Sequence, residues 1–360
     1  MPERIYNFSP GPATLPREVL AQAAKDIVNF NDKGIGLIEL SHRSKEFMAV
    51  TEEAEQLLRE LMNIPANYKV LFLQGGASTQ FAMVPMNFLR PSQTATYLNT
   101  GTWSKKAIKE AKLFGNVDLA FDSAATSFDC LPQTMDFHGA DSSEYLYFVS
   151  NNTIYGTQFK NFPETATDLV CDMSSDILSR ELDVAKFGLI FAGAQKNMGP
   201  AGCTVVIIRE DLLDKAPASV PTMFRYKTHA DKGSMFNTPP CFAIYAIGLV
   251  LKWLKAQGGV SAIAAVNLKK AALVYDAIDA GDFYRGHAQT TCRSTMNITF
   301  NLPSAELESK FIQEAAALGL DGLKGHRSIG GIRASIYNAF PYEGVEKLVD
   351  FMGEFKRQNG

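Results

Sequence analysis

A single lysine lies among small residues, and its surroundings make it a candidate nucleophile. Lys196 belongs to the segment Gly-Ala-Gln-Lys-Asn-Met-Gly-Pro-Ala-Gly at 193–202. The apolar runs 189–192 and 203–208 on either side are typical of buried strands. A lysine ammonium group normally stays solvated, but burial in a tight pocket lowers its pKa and makes the amine nucleophilic. This stretch alone leaves open a solvated lysine on an ordinary loop.

Two further features could supply a carboxylate and an anion-binding turn. Asp172 ends the apolar run 168–172. Residues 75–79, Gly-Gly-Ala-Ser-Thr, separate an apolar run at 68–73 from a helical pattern at 81–89. In such a layout the free backbone N–H groups and the positive helix end face an anion, and the hydroxyls of Ser78 and Thr79 could add donors. The segment is neither a GxGxxG nor a Walker motif, so a plain tight turn stays open.

A lysine, a carboxylate and a phosphate-binding turn are together the anchors that pyridoxal phosphate needs. The lysine forms a Schiff base with the cofactor, the carboxylate keeps the pyridine nitrogen protonated, and the turn holds the phosphate. Lys196, Asp172 and residues 75–79 could take these roles. Trp103, at a predicted helix start, could stack on the ring, although a single tryptophan is also typical of a core.

The elements that must position these residues alternate between strand and helix. Predicted strands lie at 68–73, 94–98, 116–121, 145–149, 168–172, 189–192 and 203–208, and predicted helices at 81–89 and 102–114. The alternation indicates an α/β fold with a mainly parallel sheet. Ligands of such sheets collect at the carboxyl ends of the strands, where Asp172, residues 150–153 and Lys196 all fall.

The rest of the chain indicates an arm and a smaller domain. Residues 1–15 are rich in turn residues and predict an extended arm, with Thr14 as the N-cap of the next helix. Residues 16–259 would form the large domain, and 260–360 a smaller α+β domain with strands at 296–300 and 334–337. The polar, irregular stretch 225–238 is expected to be functional or to contact a partner subunit.

Composition excludes several classes of protein. A net charge of -3 and a pI near 6.0 give no electrostatic case for nucleic-acid binding. The apolar run 242–254 is too short to span a membrane, and the first residues lack a signal-peptide core. The five cysteines are scattered without CxxC spacing, which argues against a disulfide framework or a structural zinc site and favours the cytoplasm. They are Cys130, Cys171, Cys203, Cys241 and Cys292.

Six segments, in the expected order and spread over essentially the whole chain, resemble the phosphoserine aminotransferases, a family of class-V pyridoxal-phosphate enzymes. The segments are Asn-Phe-Ser-Pro-Gly-Pro, Ser-His-Arg, Gly-Gly-Ala-Ser-Thr-Gln-Phe, Phe-Ala-Gly-Ala-Gln-Lys-Asn-Met-Gly-Pro-Ala-Gly, Gly-Ser-Met-Phe-Asn-Thr-Pro-Pro and Gly-His-Arg-Ser-Ile-Gly-Gly-Ile-Arg-Ala-Ser. The resemblance implies a fold-type-I homodimer with a mainly parallel seven-stranded sheet, pyridoxal phosphate, and active sites at the subunit interface.

The resemblance also implies the reaction. An amino group would pass reversibly between phosphoserine, with its keto acid 3-phosphohydroxypyruvate, and the pair 2-oxoglutarate and glutamate. This reaction belongs to serine biosynthesis, and 4-phosphohydroxythreonine, an intermediate of pyridoxine biosynthesis, is implied as a second substrate.

The same resemblance assigns the cofactor-binding residues. Lys196 would be the Schiff-base lysine and proton shuttle, and Asp172 would pair with the pyridinium nitrogen. Trp103 would stack on the ring, and Thr153 would bond its phenolic oxygen. The cofactor phosphate would be held by Ala77, Ser78 and Gln195, and by Asn237 and Thr238 of the other subunit. Some family members carry an arginine where Ser78 stands, so here the turn depends more on hydroxyls and backbone N–H groups.

A phosphorylated amino acid carries two anionic groups and needs separate cationic residues for each. Arg333, after Gly330-Gly331, suits bidentate binding of a carboxylate. The pairs His42-Arg43 and His326-Arg327 suit a dianionic phosphate, and the resemblance implies that His42 and Arg43 cross the dimer. Each of these residues taken singly could be a solvated loop charge. The remaining histidines, His138, His229 and His287, lack such a context.

Two other classes of protein stay open. A pyridoxal-dependent lyase or cysteine desulfurase would share the cofactor anchors, but a desulfurase needs a cysteine on a mobile loop, and neither enzyme explains the His-Arg pairs. A dinucleotide- or phosphate-binding module built on the Gly75-Gly76 turn would give Lys196 no role.

Overall fold

The computed structural model describes residues 4–360. Its strands are β1 (Tyr6–Asn7), β2 (Tyr68–Leu73), β3 (Thr94–Asn99), β4 (Asn116–Asp122), β5 (Leu146–Val149), β6 (Leu169–Asp172), β7 (Leu189–Gly193), β8 (Thr204–Arg209), β9 (Arg285–Gly286), β10 (Asn297–Asn301), β11 (Leu320–Asp321) and β12 (Ile332–Ser335). Its α-helices are α1 (Arg17–Val28), α2 (Lys45–Met62), α3 (Gly76–Phe88), α4 (Thr102–Ala111), α5 (Tyr226–Ala230), α6 (Cys241–Ala256), α7 (Gly259–Asp279), α8 (Ala305–Ala317) and α9 (Tyr342–Asn359).

A seven-stranded sheet forms the centre of the larger region, in the order β2-β8-β7-β6-β5-β3-β4. β8 runs antiparallel to β2 and β7, and the other neighbouring strands pair in parallel. Strands buried on both faces need continuous apolar runs rather than alternation, and β5, β6 and β7 are buried along their full lengths. The predicted mainly parallel sheet is confirmed.

Helices cover both faces of this sheet. One apolar cluster joins the sheet to α2 and α6, and a second joins its other face to α3, α4 and α5. Because β2, β3, β5, β6 and β7 all run in the same direction, their carboxyl ends meet at one edge. The segment after each strand therefore begins at this edge, which includes the starts of α3 and α4.

The C-terminal region has its own apolar core, and the N-terminal arm belongs to it. The antiparallel strands β12-β10-β9 pack with α7, α8 and α9. β1 pairs in parallel with β11, and Phe8 is fully buried in this core. The arm then turns toward the large sheet, where the Ala13 N–H donates to the Gln195 carbonyl at 3.0 Å. The arm thus ties the C-terminal core to the segment that carries Lys196.

Several predicted boundaries differ from the structure. Thr14 is not an N-cap, because α1 begins at Arg17 and the N-cap position is taken by Pro16, with φ -58° and ψ 140°. The Thr14 hydroxyl instead donates to the Asn7 carbonyl at 2.8 Å. Helix α3 begins at Gly76 rather than at residue 81, the stretch 225–238 contains α5, and β12 begins at Ile332 rather than at residue 334.

Within residues 4–360, no single helix is long and apolar enough to cross a membrane. Only α6 and α7 taken as a pair pass this test, by length and composition alone, and the two helices meet at a bend of 80°.

Candidate active site

A cavity of about 300 Å³ opens at the carboxyl edge of the sheet. It brings together residues that are far apart in the chain but were predicted to share a site. The predicted residues that line it are Ala77, Ser78, Trp103, Thr153, Asp172, Gln195, Lys196, His326 and Arg333. Asp172 is the one acid that lines it within the described part of the chain, so cations outnumber anions there.

Lys196 lies just past β7, and its side chain reaches into the cavity. Its Nζ donates a hydrogen bond of 2.7 Å to Thr153 Oγ1 and lies 5.6 Å from the centroid of the Trp103 ring. Burial lowers the pKa of Lys196 to about 8, and the nearby positive charge of Arg333 acts in the same direction, while Asp172 opposes both. A large fraction of Lys196 is therefore neutral near pH 8, as a nucleophilic amine requires.

Asp172 is the last residue of β6, and it is buried. Burial raises the pKa of this carboxyl above its usual value, although the positive charge of Lys196 and a hydrogen bond of 2.9 Å from the Ser174 N–H oppose the shift. No arginine or lysine of residues 4–360 lies within ion-pair distance of Asp172. A buried carboxylate of this kind favours a cationic ligand group in the cavity.

The glycine-rich turn forms the N-terminus of α3. Gly75 adopts φ +91°, and a Cβ at this position would lie 1.9 Å from Thr79 Oγ1, so the turn requires glycine. The first-turn N–H groups of a helix have no partner within it, and here Gly76, Ala77 and Ser78 line the cavity. The sequence analysis offered the Thr79 hydroxyl as a donor to a ligand. In the structure this hydroxyl donates to the Gly75 carbonyl at 2.9 Å instead.

Trp103 lies in the first turn of α4, and its ring forms part of the cavity wall. Its indole Nε1 is buried, and no hydrogen-bond acceptor of residues 4–360 reaches it. The core tryptophan left open by the sequence does not describe this residue, because the ring is only partly buried and contacts the cavity.

Arg333 carries a buried charge with little compensation. The residue is 8% exposed, and its Nη1 donates one hydrogen bond of 3.3 Å to the Thr153 carbonyl. Its Nε has no acceptor, and no carboxylate of residues 4–360 pairs with it. Burial lowers the pKa of the guanidinium, but arginine stays charged at any physiological pH. A buried charge without a counterion is costly, so this cavity is suited to an anion.

His326 enters the cavity from the loop between β11 and β12. Its Nδ1 lies 2.8 Å from the Ser328 hydroxyl. Burial lowers the pKa of His326, and the positive charges of Arg333, Arg327 and Lys106 add to this effect. Arg327 is exposed and does not line the cavity.

Besides Arg327, four further predicted residues lie outside the cavity of this single chain. His42 and Arg43 are in the loop before α2, and Arg43 is exposed. Asn237 donates to Gln74 Oε1 at 2.8 Å, beside the glycine-rich turn but on its outer side, and Thr238 is exposed. These are the four residues that the family resemblance expects to act across a dimer.

Some lining residues were missed by the sequence prediction. Pro10 and Gly11 of the arm line the cavity, and a Cβ on Gly11, whose φ is +139°, would lie 3.2 Å from Lys196 Cγ. Asn151, which lies in the segment 150–153 but was given no role, also lines it and donates to Ser175 Oγ and Asn297 Oδ1, both at 2.8 Å. The Pro-Gly-Pro turn was the signal for the arm, but nothing local indicated where that turn would pack.

The other three histidines and the five cysteines all belong to the described residues 4–360, and none of them lines the cavity. His229 is buried, with Nε2 2.9 Å from the Met223 carbonyl. His287 Nε2 lies 3.0 Å from the Ser127 carbonyl, and His138 is exposed near Asp136 and Asp141.

Comparison with known proteins decides the family. The model of the class-V aminotransferases matches residues 5–348. The chain belongs to the class-V aminotransferase family. It is 67% identical over 359 residues to the phosphoserine aminotransferase of Desulfotalea psychrophila, covering 100% of this chain and 99% of that one.

Two solved structures extend the likeness to this family. A phosphoserine aminotransferase studied for radiation damage of its Schiff base has a TM-score of 0.96 and 49% identity, covering 99% of this chain and 100% of that chain. The pyridoxal-phosphate-bound phosphoserine aminotransferase of Trichomonas vaginalis has a TM-score of 0.89 and 39% identity, covering 97% of this chain and 100% of that chain.

The class-V membership confirms several expectations from the sequence. The chain is a pyridoxal-phosphate-dependent aminotransferase with the fold-type-I architecture. The cavity fits this cofactor: it offers an amine of lowered pKa, a buried carboxylate, a helix N-terminus and an indole face. The binding-module alternative is wrong, because the chain belongs to a family of pyridoxal-phosphate enzymes.

Proposed function

We propose that the chain is a phosphoserine aminotransferase, which moves an amino group reversibly between phosphoserine and 2-oxoglutarate to give 3-phosphohydroxypyruvate and glutamate. The observation that carries the proposal is the buried guanidinium of Arg333, which has no counterion in residues 4–360 and faces the cavity beside His326. The phosphoserine aminotransferases to which the chain is similar support the same assignment. A substrate with two separate anionic groups would complement these charges.

Pyridoxal phosphate, when bound, supplies a carbonyl carbon that links to an amine and a conjugated ring that accepts electrons. Lys196 would provide the amine of the resting enzyme and, once displaced by the substrate, would carry the proton between the two carbons of the 1,3-shift. The neutral amine needed for this step is available because burial lowers the pKa of Lys196 to about 8. Thr153, whose Oγ1 accepts a hydrogen bond of 2.7 Å from Nζ, would orient the amine and would bond the phenolic oxygen of the cofactor.

Three further groups would hold the ring and its phosphate. Asp172 would stabilise the protonated ring nitrogen, which in turn would keep the buried carboxyl ionised. Trp103 would cover one face of the ring. The N–H groups at the start of α3, with Ala77 and Ser78, and the side chain of Gln195 would bind the phosphate.

Substrate binding would divide between two clusters of cations. Arg333 would bind the α-carboxylate, because it is buried, lines the same cavity as Lys196 and carries a charge that acts on the Lys196 amine. His326 and Arg327 would bind the distal phosphate at the mouth of the cavity. In this proposal Arg327 turns inward when the substrate is present, since it is exposed in the single chain.

A homodimer would complete the site. His42 and Arg43 would reach the substrate phosphate, and Asn237 and Thr238 the cofactor phosphate, of the other subunit. The support is that none of the four lines the cavity of its own chain, while Asn237 lies against the outer side of the glycine-rich turn.

Because phosphoserine becomes serine when its phosphate is removed, the proposed reaction would belong to serine biosynthesis, and the five free cysteines favour the cytoplasm as its setting. A second substrate, 4-phosphohydroxythreonine of pyridoxine biosynthesis, carries the same carboxylate, amine and phosphate and would meet the same cations. The desulfurase alternative has no support from the cavity, because the five cysteines, all in the described part of the chain, lie outside it.

An amino-donor panel tests the proposal. With 2-oxoglutarate as acceptor, kcat/KM would be measured for phosphoserine, serine and alanine. We expect phosphoserine to be preferred by roughly 1,000-fold, because loss of the phosphate forfeits charge-assisted hydrogen bonds to several cations. Equal use of serine or alanine would refute the assignment and leave an aminotransferase of another specificity.

A further inference from the structure

Lys106 is a cation that the sequence prediction did not single out, and it lies beside the proposed substrate site. It follows Trp103 by three residues on α4, so the two side chains share one face of the helix. Lys106 Nζ lies 4.8 Å from the centroid of the Trp103 ring, within the range of a cation–π contact. No acid of residues 4–360 lies within ion-pair distance of Lys106, so its charge has no partner there.

The position of Lys106 connects it to the substrate cations. Its charge acts on His326, together with those of Arg327 and Arg333. The Trp103 ring has Lys106 at 4.8 Å and Lys196 at 5.6 Å from its centroid. These groups repel one another, and Asp172 is the single acid on the cavity wall within the described residues. A dianion at the mouth of the cavity would relieve this repulsion.

We propose that Lys106 is a further specificity-determining residue. From its position against the Trp103 ring, its ammonium group attracts the phosphate group of the amino donor, together with His326. The inference rests on the proposed function above. The cation–π contact holds the exposed Lys106 ammonium group against Trp103, a residue of the cavity wall, and this reduces the entropy lost when the anion binds. Lys106 thereby discriminates a phosphate, with about two negative charges, from a carboxylate with one.

The neighbouring residue offers a matched control. Lys105 is also exposed, and its Nζ lies 4.6 Å from the centroid of the Phe128 ring, so it likewise makes a cation–π contact. Phe128 does not line the cavity, and Lys105 is not among the cations that act on His326. Lys106→Gln and Lys105→Gln therefore remove the same charge from the same helix, one residue apart.

The test measures kcat/KM for the half-reactions of the cofactor-loaded protein with phosphoserine and with glutamate. We expect Lys106→Gln to lower kcat/KM about tenfold for phosphoserine and about threefold for glutamate, because Coulomb energy scales with the ligand's charge. Lys106→Arg should stay near wild type, and Lys105→Gln should change neither donor. The phosphoserine rate should also depend less steeply on salt in Lys106→Gln.

Two outcomes would overturn the inference while the proposed function stands. One is Lys106→Gln with unchanged kcat/KM for phosphoserine, and the other is an equal loss for both donors, which would indicate that Lys106 only supports Trp103. A wild-type protein that takes no amino group from phosphoserine would instead overturn the proposed function, and the inference with it.

Discussion

Replacing Arg333 by methionine should make the protein without cofactor more stable and the enzyme much less active. The guanidinium is 8% exposed, makes one hydrogen bond of 3.3 Å and faces no carboxylate in residues 4–360. Methionine is also unbranched, although it is two heavy atoms shorter, and it carries no charge. Since replacing an uncompensated buried charge by an apolar side chain is commonly stabilising, we expect the free energy of unfolding to rise by about 1–3 kcal/mol.

The same substitution should reduce activity in two separable ways. Loss of the carboxylate-binding group should lower kcat/KM for phosphoserine by roughly 100- to 1,000-fold. The positive charge of Arg333 also helps to lower the pKa of Lys196 to about 8, so its removal should raise that pKa. The amine then becomes neutral only at higher pH, and the acidic limb of the pH–rate profile should move in the alkaline direction.

Urea unfolding without cofactor and single-turnover kinetics with cofactor would measure these effects. Arg180→Met is a suitable control, because Arg180 pairs with the buried Asp176 at 3.4 Å. Its loss leaves that carboxylate without its cation, so we expect the free energy of unfolding to fall by about 1–2 kcal/mol. If Arg333→Met unfolds at a lower urea concentration than wild type, then the guanidinium is compensated within the chain, and the argument for an anionic ligand fails.

Three other substitutions test separate parts of the structure. Lys270→Met should lower the free energy of unfolding by about 2–4 kcal/mol, measured in urea, because its buried Nζ serves three backbone carbonyls, whereas the exposed Lys269→Met should have little effect. Gly11→Ala should weaken cofactor binding about tenfold in an absorbance titration, since φ is +139° and the new Cβ would crowd Lys196; unchanged binding would mean that the arm adjusts freely. Arg327→Ala should impair the half-reaction of phosphoserine far more than that of glutamate, and equal losses would remove its proposed role.

The sequence was sufficient for the parts of the site that depend on local pattern. Continuous apolar runs predicted the strands of the sheet, and the polar residues after them converge because parallel strands end at one edge. Lys196, Asp172 and Thr153 therefore line one cavity, although 43 positions separate Thr153 from Lys196. The strand–glycine–helix pattern likewise indicated the turn at Gly75, though α3 begins earlier than predicted because Gly75 itself is the N-cap.

Features that arise from packing between distant segments could not be predicted in this way. The arm's contact with Lys196 depends on β1 joining β11 and on Phe8 entering the C-terminal core, which no local pattern encodes. The isolation of the Arg333 charge is visible only once every neighbouring side chain is placed. Lys106 looks like any solvated helix lysine in the sequence, and its proposed role follows only from its contact with Trp103 and the effect of its charge on His326.

The most direct test of the proposed function is a single turnover of the cofactor-loaded protein with phosphoserine and no acceptor. One molecule of 3-phosphohydroxypyruvate should form per chain as the absorbance of the lysine-bound cofactor disappears, and subsequent 2-oxoglutarate should restore the absorbance and release glutamate. Lys196→Ala should form no product on the same timescale, because both the amine and the proton carrier are lost. Product formation by Lys196→Ala at the wild-type rate, or a wild-type protein that responds to alanine but not to phosphoserine, would contradict the assignment.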